Sequence, residues 1–179
     1  MAKKLKAKLS PNTKTIFYER RKIMKVNKVV KIALVAAIYA VLTVAIAPIS
    51  YGPVQFRISE VMTLFAFIDP LYIPGLVIGC AISNLFSPLG VVDVFVGSAA
   101  TFLSVYMISK SKNLLIASLW PTIFNGIIVG AELYFILKLP LVITSLQVAL
   151  GEFTVVTIAG YPLFKLLQKN QNVLKALKM

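Results

Sequence analysis

Apolar residues fill the chain from Ile32 to Phe164, and the runs are broken only at short polar or proline-containing places. The breaks are Pro48 to Phe56 (PISYGPVQF), Asp69-Pro70, Ser87-Pro88-Leu89-Gly90, Lys110-Ser111-Lys112 and Lys138-Leu139-Pro140. They delimit six apolar stretches: Ile32 to Ala47, Ile58 to Ile68, Tyr72 to Phe86, Val92 to Ile108, Leu114 to Leu137 and Leu141 to Leu167. Runs of this length and polarity read as membrane helices. The pattern predicts an all-α integral membrane protein, a compact bundle of six transmembrane helices. The second and third stretches fall short of the about 20 residues that a perpendicular helix needs, so they are expected to be a re-entrant pair or short helices packed inside the bundle. Pro121 lies inside the fifth stretch and predicts a kink.

Charge sharpens this picture. Eleven of the 19 Lys and Arg residues precede residue 32, and four more follow Phe164. Six spans with the N-terminus inside put 17 of the 19 in cytoplasmic segments, leaving Arg57 and Lys138 outside. The positive-inside rule therefore expects both termini to be cytoplasmic. Three segments are expected: a basic arm over 1–31, a six-helix substrate-binding domain over 32–167, and a basic tail over 168–179. The arm is read as a loose stretch, broken at Ser10-Pro11-Asn12, with a basic amphipathic lead-in near anionic headgroups. Ala45-Ile46-Ala47 has the form of a signal-peptide cleavage site, but the long basic stretch before it and the spans after it favour an uncleaved first helix. The net charge of +13 is explained by these flanks, so no nucleic acid is expected as a partner; the lipid bilayer is.

Composition removes several chemistries. At 59% hydrophobic and 14% charged residues, the chain cannot build a soluble surface. It has no histidine and one cysteine, Cys80. His-based catalysis, His or Cys metal sites and an intrachain disulfide are thereby excluded. No catalytic residue and no metal ligand set is expected, and no nucleotide-binding motif appears, so no cofactor is expected in this chain. Small residues recur four apart: Ala33, Ala36, Ala37 and Ala40, two overlapping pairs expected on one face of the first helix, then Gly75/Gly79 and Gly126/Gly130. Such spacing lets helix backbones approach closely in lipid.

The ionisable residues inside the spans carry the functional signal, because a charge in hydrocarbon is costly and usually faces a polar interior. They are Arg57, Glu60, Asp93, Glu132 and Glu152, with Asn84, Asn125 and Gln147 as polar company. Most fall in the outer half of the six-span arrangement, Glu152 nearer its middle. Each has an ordinary explanation. Arg57 and Glu60, three apart, suit a helix-surface ion pair. Asp93 suits an N-cap. Asp69, before Pro70, suits a turn. Asn125 and Glu132, two turns apart on one face, suit an interhelical strut. Their convergence at similar depth favours a polar cavity opening outward. With one positive and four negative residues it suits a ligand rich in N–H donors, or a cationic one. Tyr51, Phe56 and Phe95 could stack on a planar ring.

Four stretches in order, VQFRISE (Val54 to Glu60), IPGLVIGCAISNLFSPLGVVDVFVGS (Ile73 to Ser98), FNGIIVGAELY (Phe124 to Tyr134) and ALGEF (Ala149 to Phe153), resemble the QueT-type queuosine-precursor transporter family. These are S components, the substrate-binding subunits of energy-coupling factor importers. The resemblance covers about residues 30 to 167. It implies six transmembrane helices in a bacterial cell membrane, with a substrate site near the outer face. It also implies a coupling membrane protein and two ATP-binding-cassette ATPases as partners, which would use the ATP. The implied substrate is a 7-deazaguanine precursor of queuosine. Tyr51, Gln55 and Phe56 then lie on the loop that covers the site, and Ala33, Ala36, Ala37 and Ala40 resemble the surface that meets the coupling protein. An autonomous secondary transporter, or a membrane-integral enzyme using the same acids, is the alternative.

Overall fold

The computed structural model describes residues 11–52 and 54–178, with side chains from residue 26 onward. Every regular element among them is helical. In chain order these are α1 (Pro11–Ala45), a single turn at Ala47–Ser50, α2 (Ile58–Ile68), α3 (Pro70–Asn84), α4 (Val91–Lys110), α5 (Leu114–Leu137), α6 (Leu141–Lys169) and α7 (Gln171–Leu177). Two compact units divide the chain, Met1–Lys31 and Ile32–Met179. In the first unit the chain is helical from Pro11 on, where a loose stretch and then a basic amphipathic lead-in were expected; the arm's first ten residues lie outside the described ones. The rest of this account concerns the second unit.

Among the described residues, four helices are long and apolar enough to cross a membrane: Val26–Ala45 of α1, α4, α5 and α6. The expected second and third spans are present as the shorter helices α2 and α3. The boundaries follow local chemistry. Asn113 caps α5 by accepting from the Leu115 amide at 2.8 Å, which satisfies one of the orphan donors of a first turn. The helix runs through Pro121 to Leu137. Lys138 then turns left-handed (φ 57°) and Pro140 follows, a combination that cannot continue a helix. Asp69 accepts from the Leu71 amide at 3.0 Å, as a turn residue should.

Short connections make α3, α4, α5 and α6 successive antiparallel neighbours, each packed on the next. Two glycine faces allow the close contacts. A side chain at Gly79 would stand 2.8 Å from the Ala36 carbonyl oxygen, and one at Gly75 2.6 Å from that of Ile32. The matching order of these contacts makes α1 and α3 parallel. A Cβ at Gly126 would meet Ala149 of α6 at 2.9 Å. Both glycine pairs are therefore helix-packing surfaces.

This topology gathers the ends of α1, α3 and α5 with the starts of α2, α4 and α6. Within the second unit that end carries Arg57 and Lys138, while Lys110, Lys112, Lys165, Lys169, Lys175 and Lys178 lie toward the opposite end. The Tyr72 hydroxyl holds α7 there, donating to the Leu177 carbonyl at 2.6 Å.

Two departures from regular α-helix matter for the site. The first part of α2, Ile58–Leu64, is a 3₁₀-helix whose Ser59, Glu60, Met62, Thr63 and Leu64 are all buried. It packs against α3, α4, α5 and the middle of α6, with Ile58 exposed. The middle of α6, Phe153–Gly160, is wound as a π-helix, a feature frequent at functional sites.

Candidate functional site

Arg57, Glu60, Asn84, Asp93, Asn125, Glu132 and Glu152 are all buried, none more than 5% exposed, and Gln147 is half-buried. They come from the end of the loop before α2 and from α2, α3, α4, α5 and α6, so only the packed bundle brings them together. Arg57 lies at the hub. Its guanidinium donates to Asp93 Oδ2 at 3.3 Å, Asn84 Oδ1 at 3.2 Å and the Ser50 carbonyl at 3.4 Å. The guanidinium carbon sits 5.4 Å from the centre of the Tyr51 ring, a cation–π arrangement. Its charge also reaches Glu60, Glu132 and Glu152. The expected pairing of Arg57 with Glu60 along one helix does not occur. The N-cap of α4 is Gly90, with no side-chain cap, so Asp93 is an ion-pair partner and not a cap.

Glu60 and Glu152 share a common arrangement. The Tyr39 hydroxyl donates to Glu60 Oε1, and Thr101 donates to the same oxygen at 3.5 Å. Asn125 Nδ2 donates to Glu152 Oε1 at 2.7 Å, an interhelical strut of the kind expected of Asn125; Glu132 takes no part in it. In each carboxylate one oxygen is held and the other, Oε2, finds no hydrogen-bond partner among the described residues. Both oxygens of Glu132 are unpartnered in the same sense, as is Asp93 Oδ1. Buried polar atoms in native proteins are nearly always satisfied, and exceptions need a specific reason. Arg57 and Asp93 neutralise each other, which leaves three buried carboxyl groups without an ion-pair partner among the described residues.

The loop between α1 and α2 is drawn down onto this cluster. The Tyr51 hydroxyl donates to the Ser83 carbonyl at 2.5 Å. The carbonyl of Val54 stands where a side chain at Gly151 would be, so glycine next to Glu152 is what lets the loop rest on α6. Gln55 is buried with a φ of 49°. For a residue other than glycine this left-handed geometry costs about 1–3 kcal/mol and persists only where its surroundings hold it. Phe56 packs against the larger apolar core. Pro53 lies outside the described residues.

Two expectations are corrected. Phe95 is 72% exposed on α4 and cannot stack on a ligand in the interior. The alanines of α1 do not share one face: Ala36 and Ala40 are buried within the bundle, Ala36 against Gly79, while Ala33 and Ala37 are exposed. On a helix, residues one apart point about 100° from each other, so two interleaved four-residue pairs occupy adjacent faces.

Sequence reading passed over the hydroxyl groups. Tyr39 and Thr43, four apart in an apolar helix, face the interior; Thr43 bonds Ser59 at 2.6 Å. Their spacing on the face that also carries Val35 and Ala36 was the available signal.

Four long apolar helices around a buried cluster of acids and amides define a multi-pass membrane protein with a polar interior. The chain belongs to the QueT transporter family, whose model matches residues 29–169. Its family is thus one of transporters and not of enzymes. The chain is 37% identical over 144 residues to the queuosine precursor transporter QueT of Lactococcus lactis subsp. cremoris (strain MG1363), covering 72% of this chain and 85% of that protein. No solved structure matches the chain significantly.

Proposed function

We propose that this chain takes up a 7-deazaguanine precursor of queuosine as the membrane-embedded substrate-binding subunit of an energy-coupling factor importer. The observation that carries the ligand class is the set of unpartnered, buried carboxylate oxygens on Glu60, Glu132 and Glu152. A guanine-like edge presents adjacent N–H donors, which a carboxylate accepts in charge-assisted hydrogen bonds. The name of the Lactococcus relative supports the same substrate. Asn84, Asn125 and Gln147 are the amide groups of this site, Arg57 and Asp93 its outer brace, and Tyr51, Gln55 and Phe56 its covering loop.

The energising partners are a coupling membrane protein and two ATPases that hydrolyse ATP in the cytoplasm; this chain needs no cofactor of its own. Ala33 and Ala37 are the alanines of α1 left to meet the coupling protein. Uptake of the labelled precursor into cells or vesicles tests the assignment. It should require this chain and the ATPases together. Uptake by this chain alone, abolished by an uncoupler, would replace the assignment by a secondary transporter.

In this reading residues 32–167 form the six-helix substrate-binding domain of a bacterial cell-membrane protein. The arm (1–31) and the tail (168–179) are cytoplasmic, and α2 and α3 complete the six helices. The distribution of basic residues supports that orientation. A cysteine placed at Tyr51 in a Cys80-free background should react with an impermeant thiol reagent added outside intact cells, and one placed at Ser111 should not. Labelling at Ser111 from outside would reverse the orientation.

A further inference from the structure

The end of the second unit opposite the loop between α1 and α2 is marked as a membrane surface by its aromatic side chains. Lys110 Nζ stands 5.5 Å from the centre of the Tyr106 ring. Lys165 Nζ stands 5.4 Å from the centre of the Tyr161 ring and donates to its hydroxyl at 3.3 Å. In each pair the lysine is one turn nearer the end of its helix. Tyrosine with a lysine just beyond it is an arrangement of the boundary between hydrocarbon and headgroups. Trp120 of α5 reaches the same level, donating from Nε1 to Ser111 Oγ at 3.0 Å. The chain beyond Lys169 therefore lies at headgroup depth. There Asn170 breaks α6 and caps α7, accepting from the Asn172 and Val173 amides at 3.0 and 3.3 Å. With seven residues, α7 is too short to stay helical alone. It turns Val173, Leu174 and Leu177 inward, each half-buried, and leaves Lys175 and Lys178 exposed. The Tyr72 hydroxyl ties it to the start of α3. Between α7, the last turn of α6 and the end of α2 remains a cavity of about 330 Å³, lined by Phe67, Ile68, Gln168, Leu174 and Lys178. Its walls pair an amide and an ammonium group with three apolar side chains. Asp69, the acid of this end, caps the adjacent turn.

We infer that this cavity seats the headgroup of an anionic phospholipid. Lys178 and Gln168 donate to its phosphodiester, while Phe67, Ile68 and Leu174 cover the glycerol and the first methylenes. The bound lipid holds α7 against the bundle. A charged phosphodiester on an apolar stem matches both kinds of wall, at a depth where such groups are abundant, and the lysines of this end attract it. The volume is in the range of small-ligand pockets. The inference is independent of the ligand class proposed above.

Native mass spectrometry of the purified full chain tests it, with phosphatidylglycerol or phosphatidylcholine titrated into a neutral detergent. Phosphatidylglycerol should bind about fivefold more tightly than phosphatidylcholine, the factor that one lysine near an anionic lipid supplies, and should raise the thermal transition. Lys178→Gln and Gln168→Glu should each weaken phosphatidylglycerol binding about fivefold. Lys112→Gln removes the same charge from the same end but does not line the cavity, and should change binding less than about twofold. Equal binding of the two lipids by the parent overturns the inference. Equal losses in Lys178→Gln and Lys112→Gln also overturn it, since they would mark a diffuse charge effect and no seat. Parental binding by both cavity variants does the same. Inorganic phosphate that raises the thermal transition as much as phosphatidylglycerol overturns the lipid as the ligand.

Discussion

Glutamine in place of Glu152 is expected to weaken binding of the deazaguanine ligand by about thirty- to a thousandfold, or roughly 2–4 kcal/mol. The substitution nearly preserves shape. The glutamine oxygen can still accept from Asn125 Nδ2, as Oε1 does at 2.7 Å. Its amide nitrogen then takes the place of Oε2, the atom without a partner among the described residues. A ligand N–H would face a protein N–H, so a charge-assisted bond is lost and a buried donor is left unpaired. The same reasoning applies to Glu60→Gln, where Tyr39 keeps the remaining oxygen in place. Calorimetry on the two purified variants reads the effect directly. Were the carboxylates only struts, the variants would lose thermal stability and yield while the folded protein bound as before. Parental affinity in both would leave ring recognition by carboxylates untenable.

The second large effect concerns stability. Arg57→Met should destabilise the purified protein by about 3–5 kcal/mol, because it leaves the buried Asp93 without its cation. Asp93 is 1% exposed and its Oδ1 already lacks a partner among the described residues. The change also frees the loop, since Arg57 ties Ser50 and Asn84 to α4 and stacks on Tyr51. Asp93→Leu alone should cost a similar amount by stranding the guanidinium. The double variant should recover most of the Asp93–Arg57 part, because a buried ion pair replaced as a unit leaves no uncompensated charge. A double-mutant cycle from thermal or denaturant unfolding in one detergent measures this coupling. Single costs below about 1 kcal/mol that simply add would show that the pair is not held in a dry interior.

Both predictions rest on partners that are far apart in the chain. Arg57 and Asp93 are 36 positions apart, Asn125 and Glu152 27, and Tyr39 and Glu60 21. The pairing that sequence spacing suggests, Arg57 with Glu60, is not used, and the interhelical strut suggested by Asn125 is made to Glu152. Spacing of three, four or seven shows that two side chains can share a helix face. Whether they meet depends on what the neighbouring helix offers, and here Arg57, Glu60 and Asn125 find partners across the bundle.

What the sequence determined by itself is what depends on local cost. Apolar length and proline, glycine and lysine breaks set the helices, so that α5 has the expected limits Leu114–Leu137 and α4 exceeds the expected ones by one residue at the start and two at the end. The price of a charge in hydrocarbon marked Arg57, Glu60, Asp93, Glu132 and Glu152 as interior, and all five are buried. Tertiary structure alone decided the rest. Helix crossings at Gly75 and Gly79 turned Ala36 and Ala40 inward and left Ala33 and Ala37 outside. Packing around Ile58–Leu64 drew a short segment into the interior as a 3₁₀-helix, and Phe153–Gly160 wound as a π-helix directly after Glu152. The closeness of Val54 to Gly151 set the loop over the acids. These outcomes depend on which backbones can approach within van der Waals contact, a property of pairs of helices that no single stretch of sequence contains.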